Sequence, residues 1–307
     1  MSYSSRMQKN HLFSVYLAAR GNPRMADIGM QIAQQYMSPF DLLIGVVGDA
    51  GSGKSVLIRG MFPGLELTND DEGVNVRPLP LLNTDDQGFF QAHTYHVDIR
   101  FEQGFTQLHE LADGILEAIA NGKRVVVEHF ELIYPLLGRN AHLLIGVGEE
   151  IIITRPSLFG PDPREISTIV HKSVVYRRMA HTAEDLCEFC LKDRGLLAYE
   201  HSDVRRGFIL IFNEKPKVDL NELEHEVKEL IKKNLPISYL DRTHILIGDQ
   251  RHYCTGPRMH IKSTGEVKNF SLHKEFLKED ISGRYMVVGL VDTSQNYDIN
   301  ELNQILL

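Results

Sequence analysis

Gly48-Asp49-Ala50-Gly51-Ser52-Gly53-Lys54-Ser55 fills every position of the pattern G-x-x-x-x-G-K-[ST]. An apolar run, Leu42-Leu43-Ile44-Gly45-Val46-Val47, precedes it, and Val56-Leu57-Ile58-Arg59 can open a helix behind it. A strand, a glycine-rich bend and a helix start form the context this phosphate-binding pattern requires. Glycines at 48, 51 and 53 let backbone N–H groups curl toward phosphate oxygens, and the helix N-terminus adds partial positive charge. Lys54 is expected to reach the terminal phosphates, and the Ser55 hydroxyl to hold Mg²⁺. Gly48, Asp49, Ala50, Gly51, Ser52, Gly53, Lys54 and Ser55 are therefore the candidate binding residues for ATP or GTP.

The chain has 307 residues, room for one large domain or two ordinary ones. A hydrophobic share of 43% against 24% charged residues places it among globular proteins. The net charge of −8 lacks the global footprint of a nucleic-acid binder, although it leaves a local basic patch open. The first residues, MSYSSRMQKN, lack the apolar core of a signal peptide, and no run of about 18 apolar residues predicts a membrane helix. Three cysteines, Cys187, Cys190 and Cys254, fit a reducing compartment better than a disulfide framework. Together these predict a cytoplasmic protein with no membrane partner.

Leu12–Leu17 reads as a strand and Arg24–Tyr36 as a helix, with Met25, Ile28, Ile32 and Tyr36 at helical spacing. Leu65-Glu66-Leu67-Thr68 is predicted as a short strand, followed by Asn69-Asp70-Asp71 and a long loop from Gly73 to Gly88. Tyr95–Phe101 alternates as a half-buried strand. Gln107–Ala120 is predicted as a helix stopped by Asn121-Gly122. Arg124-Val125-Val126-Val127-Glu128 reads as a buried parallel strand, and Leu143–Val147 and Ile151–Thr154 as two further apolar runs. Strands separated by helices predict an α/β domain with a mainly parallel sheet over residues 1–162. The proline-bearing stretch Pro156–Pro163 marks a boundary. Beyond it, residues 163–307 lose the alternation and read as an α+β domain: a helical stretch from about Glu165 to Lys192, a strand at Phe208–Phe212, an amphipathic helix at Leu220–Lys233, and strands up to Asp292.

Phosphoryl chemistry needs a carboxylate near the metal and a group that positions the nucleophile. Glu128 ends the buried strand, where ligands of open α/β sheets gather. Asp70 and Asp71 follow another expected strand and read either as residues of the same crevice or as a solvated turn. This set resembles the uridine-kinase-like branch of the P-loop kinases over the first half of the chain. The resemblance implies a P-loop NTPase domain in which Asp70 or Asp71 acts as general base toward an acceptor hydroxyl. The family's Arg-rich lid is not evident, although Arg155, Arg177 and Arg178 could supply charge.

In the second half stand His181-Thr182-Ala183-Glu184-Asp185-Leu186 and, far downstream, Cys254-Thr255-Gly256-Pro257-Arg258-Met259-His260 followed by Thr264-Gly265-Glu266-Val267-Lys268-Asn269-Phe270. In order and content these resemble the second additional (editing) domain of threonyl- and alanyl-tRNA synthetases, over about Lys172 to Val291. The amphipathic helix around Leu223–Ile231 and its ending Asn234-Leu235-Pro236-Ile237 add to the likeness. That family's four zinc ligands are two histidines at i and i+4, then a cysteine and a histidine. His181 and Cys254 match, whereas Asp185 and Arg258 stand in the other two places. Asp can ligate zinc through oxygen, and a cationic guanidinium cannot. His260, two residues on, can replace the missing ligand. Two states follow: a zinc site of His181, Asp185, Cys254 and His260, or a metal-free site in which Arg258 pairs with Asp185. Cys187 and Cys190 point away from the His181–Asp185 face of a continuous helix and read as structural thiols.

The whole chain resembles a bacterial arrangement of a P-loop domain fused to a synthetase-like second additional domain. It implies an NTP-binding protein with Mg²⁺-dependent phosphoryl transfer or hydrolysis at Lys54, Ser55 and Glu128, with Asp70 or Asp71 as base. Its second domain would recognise an amino-acid-like group, a nucleotide or a tRNA end, and the small-molecule acceptor is not specified. The alternatives are a trans-editing hydrolase of mischarged tRNA with a regulatory nucleotide site, and a non-catalytic nucleotide sensor.

Overall fold

The computed structural model describes residues 13–68, 79–84, 90–293 and 297–303. Contacts divide the chain into two compact units. The first holds residues up to Tyr16 and Met25–Lys172, and the second holds Leu17–Arg24 and Ser173–Leu307. The division thus falls ten residues past the sequence boundary, inside a helix, and assigns an eight-residue early segment to the second unit.

The first unit is built on a six-stranded sheet. Its strands are β1 (Phe13–Leu17), β2 (Leu43–Gly48), β3 (Thr94–Asp98), β4 (Arg124–Glu128), β5 (Leu143–Val147) and β6 (Glu150–Thr154), in spatial order β1-β6-β5-β2-β4-β3. Helix α1 (Asn22–Tyr36) precedes β2, and α2 (Lys54–Met61) follows it directly. A single helical turn, Ile99–Glu102, follows β3, and α3 (Leu108–Ala120) and α4 (Phe130–Leu137) flank β4. Strands β2, β3, β4 and β5 run parallel, with Val46 level with Glu128, Asp98 level with Glu128, and Gly48 level with Val147. Every residue of β2 and β5 is buried, so both read as unbroken apolar runs rather than alternating ones. The core gathers Leu43, Val47, Val97, Ile115, Val125, Val127, Phe130 and Leu144, closed by Ile166 and Val170.

Two expectations are corrected here. Leu65–Thr68 forms no strand, and Thr68 instead lies in a turn. Strand β6 pairs antiparallel with β5, because only Gly148 and Glu149 separate them and so short a link can close only a hairpin. The sheet is mixed: β6 is set antiparallel beside the parallel group, and the second unit adds antiparallel arrays of its own. The expected fold class, a P-loop NTPase domain with a mainly parallel sheet followed by an editing-type α+β domain, is corrected on that ground.

Helix α5 (Pro163–Asp193) contributes its residues from Ser173 onward to the second unit. This unit carries two antiparallel arrays. One joins β7 (Glu200–Val204), β8 (Gly207–Phe212), β12 (Ser271–Leu272), β13 (Leu277–Lys278) and β14 (Tyr285–Leu290). The other joins β9 (Ile237–Asp241), β10 (His244–Ile247) and β11 (Gln250–Tyr253). Helix α6 (Leu220–Lys232) starts at Asp219, whose carboxylate accepts from the Asn221 and Glu222 amides. Its Leu220, Leu223 and Val227 enter a core with Leu186, Leu191, Phe208, Leu210, Ile245 and Val287. Among the described residues no helix is long and apolar enough to cross a membrane.

Candidate functional site

The first candidate site lies where β2 gives way to α2. Gly48, Gly51 and Gly53 have φ of 152°, 73° and 88°, conformations that side chains resist. At Gly48 the constraint is also spatial, since a Cβ there would stand 2.6 Å from the Val147 carbonyl oxygen. The bend delivers Lys54 and Ser55 to the first turn of α2. Lys54 is buried, and its Nζ donates to the Asp49 carbonyl at 3.1 Å. Ser55 Oγ donates to Glu128 Oε1 at 2.9 Å, and Lys54 Nζ lies 3.6 Å from Glu128 Oε2. The two phosphate-loop side chains thus converge on the strand-end carboxylate.

Glu128 is 1% exposed. His96, two residues before the end of β3, brings Nε2 to within 3.2 Å of Oε1. The Thr68 amide donates to Nδ1 of the same ring at 3.1 Å, which leaves Nε2 as the donor toward Glu128. Burial works to raise the Glu128 carboxyl, but His96, Lys54 and Ser55 together hold it down at about 2. Asp98, buried and level with Glu128 on β3, caps the following helical turn by accepting from the Phe101 amide at 3.1 Å.

Sequence reasoning passed over His96, Thr68 and Asp98. The adjacency of β3 and β4 makes His96 a neighbour of Glu128, and no spacing within the chain carries that information. Asp70 and Asp71 lie outside the described residues. Ser55 Oγ and Glu128 Oε1 are two oxygen donors a hydrogen bond apart, which suits a hard cation such as Mg²⁺.

The second candidate site lies in the second unit. His181 and Asp185 occupy successive turns of α5, and Cys254 and His260 lie in the segment after β11. One donor atom from each of the four lies within 4.8 Å of all the others. His181 Nε2 is 3.2 Å from Cys254 Sγ, His260 Nε2 is 2.9 Å from Asp185 Oδ2, and Cys254 Sγ is 3.8 Å from His260 Nε2.

The outward ring nitrogens are held as metal-binding histidines require. His181 Nδ1 faces Glu184 Oε2 at 3.3 Å, and His260 Nδ1 faces the Pro257 carbonyl at 3.2 Å. The Gly256 amide donates to Cys254 Sγ at 3.3 Å. This imidazole, carboxylate and thiol set fits tetrahedral zinc. The structure brings together the four residues of the first predicted state. Asp185 meets His260, while Arg258 is exposed, with its guanidinium carbon 4.8 Å from the centre of the Tyr239 ring.

Burial pushes the His181 imidazolium down, with Asp185 opposing, and pushes the Cys254 thiol up together with Asp185. Burial works to raise Asp185, but His181 and His260 hold it below the usual carboxylate range. Around the four stands a shell that the motifs did not reveal. Arg20 Nε donates to Glu184 Oε2 at 2.7 Å, Arg20 Nη1 lies 2.9 Å from Asp203 Oδ1, and His201 Nδ1 lies 3.1 Å from Glu184 Oε1. Burial opposes the Arg20 cation, and Glu184 and Asp203 hold its pKa above the ordinary value. Cys187 and Cys190 are buried free thiols within the core.

No family model matches this chain, and no curated protein matches it. Among solved structures, an amino transferase from Eubacterium rectale shares 10% sequence identity over 73% of this chain and 67% of its own, with a TM-score of 0.25. A likeness that faint carries no argument about fold or chemistry.

Proposed function

We propose that the first unit binds the polyphosphate of a nucleoside triphosphate at Gly48–Ser55, and that the protein transfers or hydrolyses the terminal phosphoryl group. The reading rests on the local loop and on no fold class. The observation that carries it is the convergence of Ser55 Oγ and Lys54 Nζ on Glu128, at 2.9 and 3.6 Å. The Lys54 ammonium, now between Asp49 and Glu128, would turn to the incoming phosphate oxygens. Ser55 and Glu128 would hold Mg²⁺, which neutralises phosphate charge when bound. His96 keeps Glu128 ionised and oriented. The acceptor, and the base role assigned to Asp70 or Asp71, belong to the same proposal, as do the choice between ATP and GTP and a cytoplasmic setting.

In the second unit, His181, Asp185, Cys254 and His260 would hold one zinc ion, which supplies a Lewis acid or a fixed ligand anchor. The resemblance to the synthetase editing domain makes an aminoacyl or amino-acid-like group its ligand class. The assembled donor set favours a second reading, hydrolysis of an aminoacyl ester on tRNA at this centre. Retained deacylation in a Lys54→Ala variant would promote it.

The test of the first reading is equilibrium binding of ATP and GTP with Mg²⁺. Lys54→Ala should weaken binding at least roughly a hundredfold, about 2.8 kcal/mol. Unchanged affinity for both nucleotides in that variant would remove the site from consideration.

A further inference from the structure

Helix α5 presents His181, Glu184, Asp185 and Glu188 at i, i+3, i+4 and i+7, four ionisable groups on one helix face. His181, Glu184 and Asp185 are each at most 3% exposed. The zinc reading above uses His181 and Asp185 as ligands and Glu184 as the partner of His181. It leaves Glu188, one turn beyond Asp185, outside the donor set, with Oε1 3.4 Å from His201 Nδ1.

His252, on β11 and held level with Ile245 of β10, is 4% exposed. Its Nε2 is shut off from solvent and has no hydrogen-bond partner among the described residues. A buried imidazole nitrogen left without a partner is costly, and such groups in native structures point to an occupant. One ring nitrogen of His252, one Asp185 oxygen and one Glu188 oxygen lie within 4.8 Å of one another. The nearby Phe189 ring, with its centroid 6.2 Å from that of His252, offers no polar alternative.

We propose that Asp185, Glu188 and His252 hold a second divalent cation, so that Asp185 is shared between two adjacent centres. This inference rests on the zinc reading of His181, Asp185, Cys254 and His260. Two carboxylates and one imidazole are the donors of a nitrogen- and oxygen-preferring site, the class that takes Zn²⁺, Mn²⁺ or Co²⁺. The first centre differs by its thiolate. Side chains at i and i+3 or i+4 share a helix face, so Asp185 can serve His181 on one side and Glu188 on the other. A carboxylate between two cations is the usual device of paired hydrolytic metals.

The experiment uses the full chain, stripped by chelator and titrated with Co²⁺, with metal content then read after Zn²⁺ loading. Cobalt bound at the first centre gives a sulfur-to-metal charge-transfer band, and cobalt at the second does not. The expected result is two equivalents in the native protein. His252→Ala and Glu188→Gln should each take one equivalent and keep the charge-transfer band. One equivalent in the native protein, with the band present, overturns the second centre and leaves the first standing. Two equivalents in both variants overturn this ligand set. Absence of the charge-transfer band overturns both centres. Ser55→Ala, counted alongside, separates the nucleotide-site pair: two equivalents retained there place both ions in the second unit, and one equivalent overturns the second centre.

Discussion

Replacing Glu128 by Gln tests whether the first site is organised around an anion. The carboxyl is held at about 2 against an ordinary value near 4.5. A depression of that size is roughly 3 kcal/mol of native stability at neutral pH. The folded pKa is the lower one, so this contribution is complete above the unfolded value and is lost as pH falls toward about 2. Linkage arithmetic gives a loss of about 0.8 kcal/mol by pH ~4 and about 1.4 kcal/mol by pH ~3.5. Gln cannot titrate, so the stability gap between native protein and variant should narrow by those amounts as pH falls from about 6. The chain has no tryptophan, so urea unfolding of the nucleotide-free protein is best followed by far-ultraviolet circular dichroism. The same substitution leaves Lys54 buried beside a neutral amide, which adds to the deficit at neutral pH. A gap that stays constant from pH about 6 to about 3.5, or a variant as stable as the native protein at neutral pH, would refute the anion-centred account.

Gly48→Ala should lower stability by roughly 2 kcal/mol or more, because the new Cβ meets a strand carbonyl at a positive φ; a melting temperature within a degree or so of the native value would contradict this. Zinc binding should release about one proton at neutral pH, since burial keeps Cys254 a thiol while Asp185 is ionised and His181 neutral. Apparent affinity should therefore rise about tenfold per pH unit between pH ~6.5 and ~8, and Cys254→Ser should abolish the slope as read by chelator competition. Glu184→Gln should weaken zinc about 10- to 100-fold by loosening the hold on His181 Nδ1; unchanged chelator competition would reduce Glu184 to a partner of Arg20 and His201.

What the sequence disclosed was local. The turn at 48–55 was legible because its glycines, lysine and serine act within eight consecutive residues. Glu128 was legible because a buried β-branched run must end somewhere, and a charged residue there sits at the sheet's carboxyl edge. His260 could be found because the resemblance to the editing domain expects a histidine where Arg258 stands, and His260 is the imidazole two residues on. The hairpin of β5 and β6 was written in the two residues Gly148 and Glu149, but two apolar runs read separately concealed it. Nothing local ties His96 to Glu128 or Arg20 to Glu184, which are 32 and 164 positions apart. Those pairs exist because strand order and the docking of residues 17–24 in the second unit create them.

The polar face of α5 makes the strongest physical demand in the second unit. Each buried charge costs several kcal/mol unless it is matched by an opposite charge and its lone pairs are filled. Glu184 is matched by Arg20, with His181 and His201 completing its hydrogen bonds. Asp185 stands among His181, Cys254, His260 and His252 with Glu188 beside it, and burial, Asp185 and Glu184 push Glu188 up. On the proposed reading, a cation shared by Asp185 and Glu188 would answer both carboxylates at once, which His201, 3.4 Å from Glu188 on its other side, does not do for Asp185. On the same reading a fixed guanidinium inside this cluster would compete with the cation for Asp185, and Arg258 is instead exposed, its guanidinium over the Tyr239 ring.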